Sequence, residues 1–237
     1  MQLYILSIGF ILSALALILH LKNQNKSGVF SVYTKTATLF LLITTAFLLC
    51  STKMQVSYHA SLSIGLILTA LFCFTLSTIF SQLGNKYEFH LKQHSLASSW
   101  FKIFGLIAII LSLVLLANNQ ITLFTAENLL IVGIIIVISL LTSIILNTIF
   151  SKNILICRAV PTLNLMLNIF AISLSVYYFI LINNFYSLIL TASCLILLIL
   201  EVTKLIKANK KNNAFSLIQD LFFVISLFFI TLYIYFI

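Results

Sequence analysis

The chain has 237 residues, of which 62% are hydrophobic and only 7% charged, and its mean hydropathy is +1.21. A soluble domain carries about 25% charged residues, so this composition excludes one, and one Pro with six Gly leaves little turn material for a β-rich fold. The formal net charge of +9 is no nucleic-acid footprint, because the Lys residues lie between apolar runs, where the positive-inside rule puts them.

Apolar runs of about 20 residues, the length a helix needs to cross a bilayer, predict eight spans, at 2–21, 30–50, 57–80, 96–117, 124–149, 160–182, 185–206 and 215–237. The expected fold is all-α: a polytopic transmembrane helix bundle forming one integral membrane domain over 1–237. The first run, LYILSIGFILSALALILHL, lacks a basic leader and a small-residue cleavage site, so it reads as a retained span. The separators KNQNKSG, STKMQ, QLGNKYEFHLKQH, NNQIT, SKN, NN and KANKKNN are short, which makes consecutive helices antiparallel neighbours. Every Lys and Arg except Lys53 falls in or beside the first, third, fifth and seventh separators. That asymmetry predicts those loops in the cytoplasm and both termini outside, in a multi-pass protein of a bacterial inner membrane. The string LILTA occurs in the third span (66–70) and again in the seventh (188–192), which leaves two related four-helix halves open.

Five charged residues lie at the edges of spans: Lys35, Lys102, Glu127, Glu201 and Asp220. Glu201 comes about five residues before the end of its span and Asp220 about five residues after the start of the next. At 1.5 Å per residue both lie roughly 7–8 Å below the same face, and Lys35 and Lys102 reach a similar depth. Two readings stand. In one, the lysines snorkel and Glu201 pairs with Lys204 on its own helix. In the other, Glu201 points inward, near Asp220 and within reach of Lys35, and closes a polar cavity, since intramembrane acids are costly and often functional.

Other polar groups carry less. Asn164 and Asn168 share a helical face, and Gly65, Ala70 and Ser77 offer small surfaces that make the third span a central helix. His90 and His94 have the spacing of a helical metal pair, but no nearby Cys or Asp completes a ligand set. Cys50, Cys73, Cys157 and Cys194 show no CxxC spacing, against a zinc site or disulfide framework. No cofactor is implied, and no GxSxG, HExxH, P-loop or dinucleotide fingerprint is present.

The segments YTKTATLFLLITTAF, GLILTALFC and SCLILLILE resemble three stretches of the YhhN family of lysoplasmalogenase-like membrane proteins. Lys35 matches the Lys of that family's Lys-Pro segment, with Thr36 in place of Pro. Gly65 and Leu66 match its GLxxSxxGD motif, with Thr69 for Ser, Phe72 for Gly and Cys73 for Asp. Glu201 stands for the Asp of its GxxxFxxSD motif, with Ser193 for Gly, Leu197 for Phe and Leu200 for Ser. CRAVPTLNLMLNIFAISLSVYYF resembles the entry to its sixth span, and in the fourth span Trp100 falls near the position of the family's His. The resemblance implies hydrolysis of the vinyl-ether bond of a lysoplasmalogen, with membrane lipids as partners. That chemistry asks for an acid on the enol ether and a base on water. Glu201, Asp220 and Lys35 are the candidate catalytic residues, Asp220 standing in for the acid that Cys73 replaces. A non-enzymatic lipid-binding or structural protein and a small-solute transporter are the alternatives. Against transport, no span carries the paired Gly/Pro interruptions of broken helices.

Overall fold

The computed structural model of the chain describes residues 2–23, 28–52, 58–86, 91–120, 125–150, 159–182, 187–207 and 213–236. They form eight α-helices: α1 (Gln2–Asn23), α2 (Gly28–Ser51), α3 (Tyr58–Lys86), α4 (Leu91–Gln120), α5 (Ala126–Phe150), α6 (Ala159–Ile182), α7 (Ser187–Lys207) and α8 (Asn213–Phe236). No strand occurs among the described residues. Only helices satisfy every backbone N–H and C=O within one segment, which hydrocarbon demands. Hydroxyls inside the helices follow the same rule. Thr38, Thr45 and Thr78 each donate to the carbonyl four residues back. Seven helices, all but α7, are long and apolar enough to cross a membrane; α7 is apolar over Ser187–Thr203.

The third separator is shorter than its composition suggests. α3 continues to Lys86 and α4 begins at Leu91, because Gln, Lys and Ser are tolerated in a helix where it leaves the apolar layer. His94 is therefore helical, and His90 lies outside the described residues. At the other face Thr125 caps α5, accepting from the Asn128 amide at 3.4 Å. Exposed Glu127 follows in the first turn, where a carboxylate meets the positive helix end.

α3 and α4 form the centre. Ser77 Oγ lies 3.0 Å from Ser98 Oγ, and Ser63 Oγ lies 2.6 Å from Ser112 Oγ. Midway between these pairs, a Cβ on Gly105 would meet Phe74 at 3.1 Å and the Ala70 carbonyl at 3.3 Å. Small residues thus recur every seventh position on both helices, Ser63, Ala70 and Ser77 against Ser112, Gly105 and Ser98. A heptad seam of small side chains lets two antiparallel backbones approach closely with a left-handed twist.

The expectation that α3 is central holds, but Gly65 has no part in it. Gly65 is exposed and an added Cβ there would meet nothing within 4 Å. At about 100° per residue, Gly65 lies roughly 200° around α3 from Ser63, on the opposite face. Gly9 of α1 is the other close approach: its Cβ position is filled by the side chain of Thr45 in α2.

Around this centre, α2 packs against α1, α3 and α8, and α6 packs against α5, α7 and α4. α5 and α1 are peripheral, with only 11% and 17% of their apolar stretches buried against 56% for α3. Their outward Leu and Ile side chains would aggregate in water and are satisfied by lipid. Cys50, Cys73 and Cys194 are buried, small hydrophobes as their apolar surroundings suggest; Cys157 lies outside the described residues.

Candidate functional site

The inward face of α7 is a stripe of buried residues, Leu190, Cys194 and Leu197, each three or four positions from the next. Glu201 comes four positions after Leu197 and continues that stripe, so the helix carries its carboxylate inward. Ser98 and Leu106 do the same for Lys102 on α4. The two side chains meet: Lys102 Nζ donates to Glu201 Oε1 at 2.7 Å, and each side chain is 18% exposed.

Asp220 occupies the corresponding place on α8, four residues before buried Val224. Its partner is Lys35 of α2, which donates to Asp220 Oδ1. Lys35 is 7% exposed, so it does not snorkel. His20, from the last turns of α1, joins them. Its Nε2 lies 3.5 Å from Asp220 Oδ2 and its Nδ1 lies 3.2 Å from Thr34 Oγ1. His20 is 1% exposed. Nothing in the sequence pattern singles it out, because a His at the end of an apolar run has the composition of an ordinary interfacial flank.

The structure therefore divides the residues expected to share one cavity. Gln219 Nε2 donates to Thr203 Oγ1 at 3.2 Å across the α7–α8 hairpin, which puts Glu201 and Asp220 at about the same level. They face different helices, however: Glu201 is paired with Lys102, and Asp220 with Lys35. The Lys204 side chain, the partner expected on α7 itself, lies outside the described residues.

Glu201 and Lys102 form part of the wall of a cavity lined by α3, α4, α6, α7 and α8. Phe74, Leu106, Leu200 and Phe223 supply apolar wall, and Asn164 and Asn168 supply polar wall. The space open to the centre of a water molecule is about 20 Å³, room for one water, which needs roughly 10–15 Å³ by that measure. Asn168 donates through Nδ2 to the Asn164 carbonyl at 2.9 Å, which fixes its amide on the helix. The side-chain oxygens of Asn164 and Asn168 are buried and accept no hydrogen bond from the protein. Cys73, the position aligned with a family acid, is buried beside Phe74 but is not among the residues lining this cavity. No group of three or more His, Cys, Asp or Glu suited to a metal ion occurs among the described residues.

Fold and site together describe a helical multi-pass membrane protein with ion pairs and a small, mostly apolar cavity that has one polar wall inside the bundle. No family model, curated protein or solved structure matches the chain.

Proposed function

We propose that the chain is an eight-span integral membrane protein, with both termini on the non-cytoplasmic side, that hydrolyses an ether-linked lysolipid as the resemblance to the YhhN family implies. The observation that carries the reading is the Glu201 carboxylate set inside the bundle at the wall of a cavity of water size. Salt-bridged to Lys102, Glu201 is an acceptor and suits the part of the base that directs water onto the substrate. Asp220, with His20 and Lys35 around it, is the second carboxylate at that level. Two features support α7 as a span. It runs alongside α8 through Ser193 and Ser226 at one level and Thr203 and Gln219 at another, and it reaches α6 through Thr191 and Ser175. Two related halves of four helices are supported by the LILTA echo in α3 and α7. The packing pattern agrees, since exchanging α1–α4 with α5–α8 turns the neighbours of α2 into those of α6.

The test is direct. Purified protein in lipid nanodiscs, supplied with a lysoplasmalogen, should release a fatty aldehyde, and Glu201→Gln should abolish the release. Folded wild-type protein that releases none would overturn the hydrolase reading. A second reading, a non-enzymatic lipid-binding or structural membrane protein, is favoured by one observation: both inward acids are tied to lysines, and the cavity has room for a water but not for a lipid chain. It predicts no aldehyde and unchanged lipid binding in Glu201→Gln.

A further inference from the structure

We propose that Asn164 and Asn168 form a subsite for a neutral hydroxyl, a water or an alcohol OH, in the cavity beside Glu201. The two side chains are 3% and 2% exposed and sit four residues apart on one face of α6. Asn168 has committed its Nδ2 to the Asn164 carbonyl, and neither side-chain oxygen receives a hydrogen from the protein. Leaving a buried acceptor unpaired is costly, so the occupant brings hydrogens. Charge selects among donors. Lys102 and Glu201 already neutralise each other. An added cation or anion would be an uncompensated charge away from water, and an anion would also face two amide oxygens. A neutral donor carries neither penalty. Size agrees, because about 20 Å³ of water-accessible space admits one hydroxyl-sized group. A single water supplies both hydrogens; a lipid alcohol supplies one. The inference rests on the hydrolase reading only for its meaning, where the group held here is the reacting water beside its base; as a binding site it stands on the amides alone.

Hydroxyl-radical footprinting of the full-length protein in nanodiscs reads the occupant without reading activity. Radicals generated from a bound water label the side chains that touch it, and Phe74 is only 2% exposed, so bulk solvent does not reach it. Rapid labelling of Phe74 is expected, with a loss of at least about half in the Asn164→Leu/Asn168→Leu variant. A second arm adds a monoacylglycerol or its di-O-methyl analogue. Labelling unchanged by either lipid assigns the site to water. Labelling suppressed by the diol alone, with a raised melting temperature, assigns it to a lipid hydroxyl. Phe74 unlabelled in folded wild-type protein, together with no difference between the two lipids, would overturn the proposal. The wild-type arms decide this even if the double variant does not fold, and neither outcome depends on whether aldehyde is released.

Discussion

Lys35 and Lys102 each take one acid, and the energetics follow from that division. A charge held away from water loses solvation worth several kcal/mol, which its partner offsets only while both are present. Lys35 and His20 are nearly inaccessible, so Lys35→Met should destabilise the protein by about 3–5 kcal/mol, and adding Asp220→Asn should restore part of the loss. The Lys102–Glu201 pair is somewhat more exposed, and Glu201→Gln should cost about 1.5–3 kcal/mol, the range for a hydrogen bond to a charged group. Double-mutant cycles on melting in detergent separate the pairs. Lys102 and Glu201 should couple by more than about 1 kcal/mol, whereas Lys35 and Glu201 should add within roughly 0.5 kcal/mol. Coupling between Lys35 and Glu201 would mean that the acids share one site after all. Composition and depth are enough to pick out these four residues as a set. Which lysine meets which acid depends on how each helix is rotated about its axis and which neighbour it faces, and spacing along the chain does not hold that information.

At the level of elements, the α3–α4 seam shows both what was legible and what was not. Ser63, Ala70, Ser77 and Ser98, Gly105, Ser112 carry a heptad of small residues that is readable in the sequence. Gly65 is just as small and has no role in packing, because a residue's size says nothing about the face it occupies. The helices themselves are legible because each apolar run is bounded by polar separators. The largest overruns of the expected limits are at the polar ends of α3 and α4, since hydropathy marks where a helix leaves the apolar layer and not where its hydrogen bonding stops. Gly105→Leu should cost about 1–3 kcal/mol or more by overpacking against Phe74 and Ala70. Gly65→Leu should be neutral or stabilising, given that Gly is the poorer helix former by up to about 1 kcal/mol. The register has its own check. In a background lacking the native cysteines, Ser77→Cys with Ser98→Cys should form a disulfide on mild oxidation, since their hydroxyls lie 3.0 Å apart. Ser77→Cys with Ser112→Cys should not, because Ser112 faces Ser63, roughly 21 Å along the helix from Ser77. A bond in the second pair and none in the first would show that the seam is out of register.

For the whole molecule the question is how many times the chain crosses, and α7 decides it. Its apolar stretch, Ser187–Thr203, is shorter than that of the other helices, but the full helix of 21 residues is about 30 Å long, the thickness of the hydrocarbon layer. Its last turns carry Lys204 and Lys207 in the sequence, and basic residues are ordinary at the cytoplasmic end of a span. A peripheral helix lying along the surface would touch its neighbours at one level only. α7 instead meets α8 both at Ser193 and, ten residues on, at Thr203. The basic residues make the same case: every Lys and Arg but Lys53 falls in or beside alternate connections, an alternation that breaks if one helix fails to cross. Reporter fusions after Asn184, after Lys211 and after Ile237 should therefore read outside, inside and outside. The same side from the first two would remove α7 from the membrane and leave seven crossings. The same side from the last two would do so for α8, and with it would go the membrane-embedded setting of Asp220 on which its pairing with Lys35 depends.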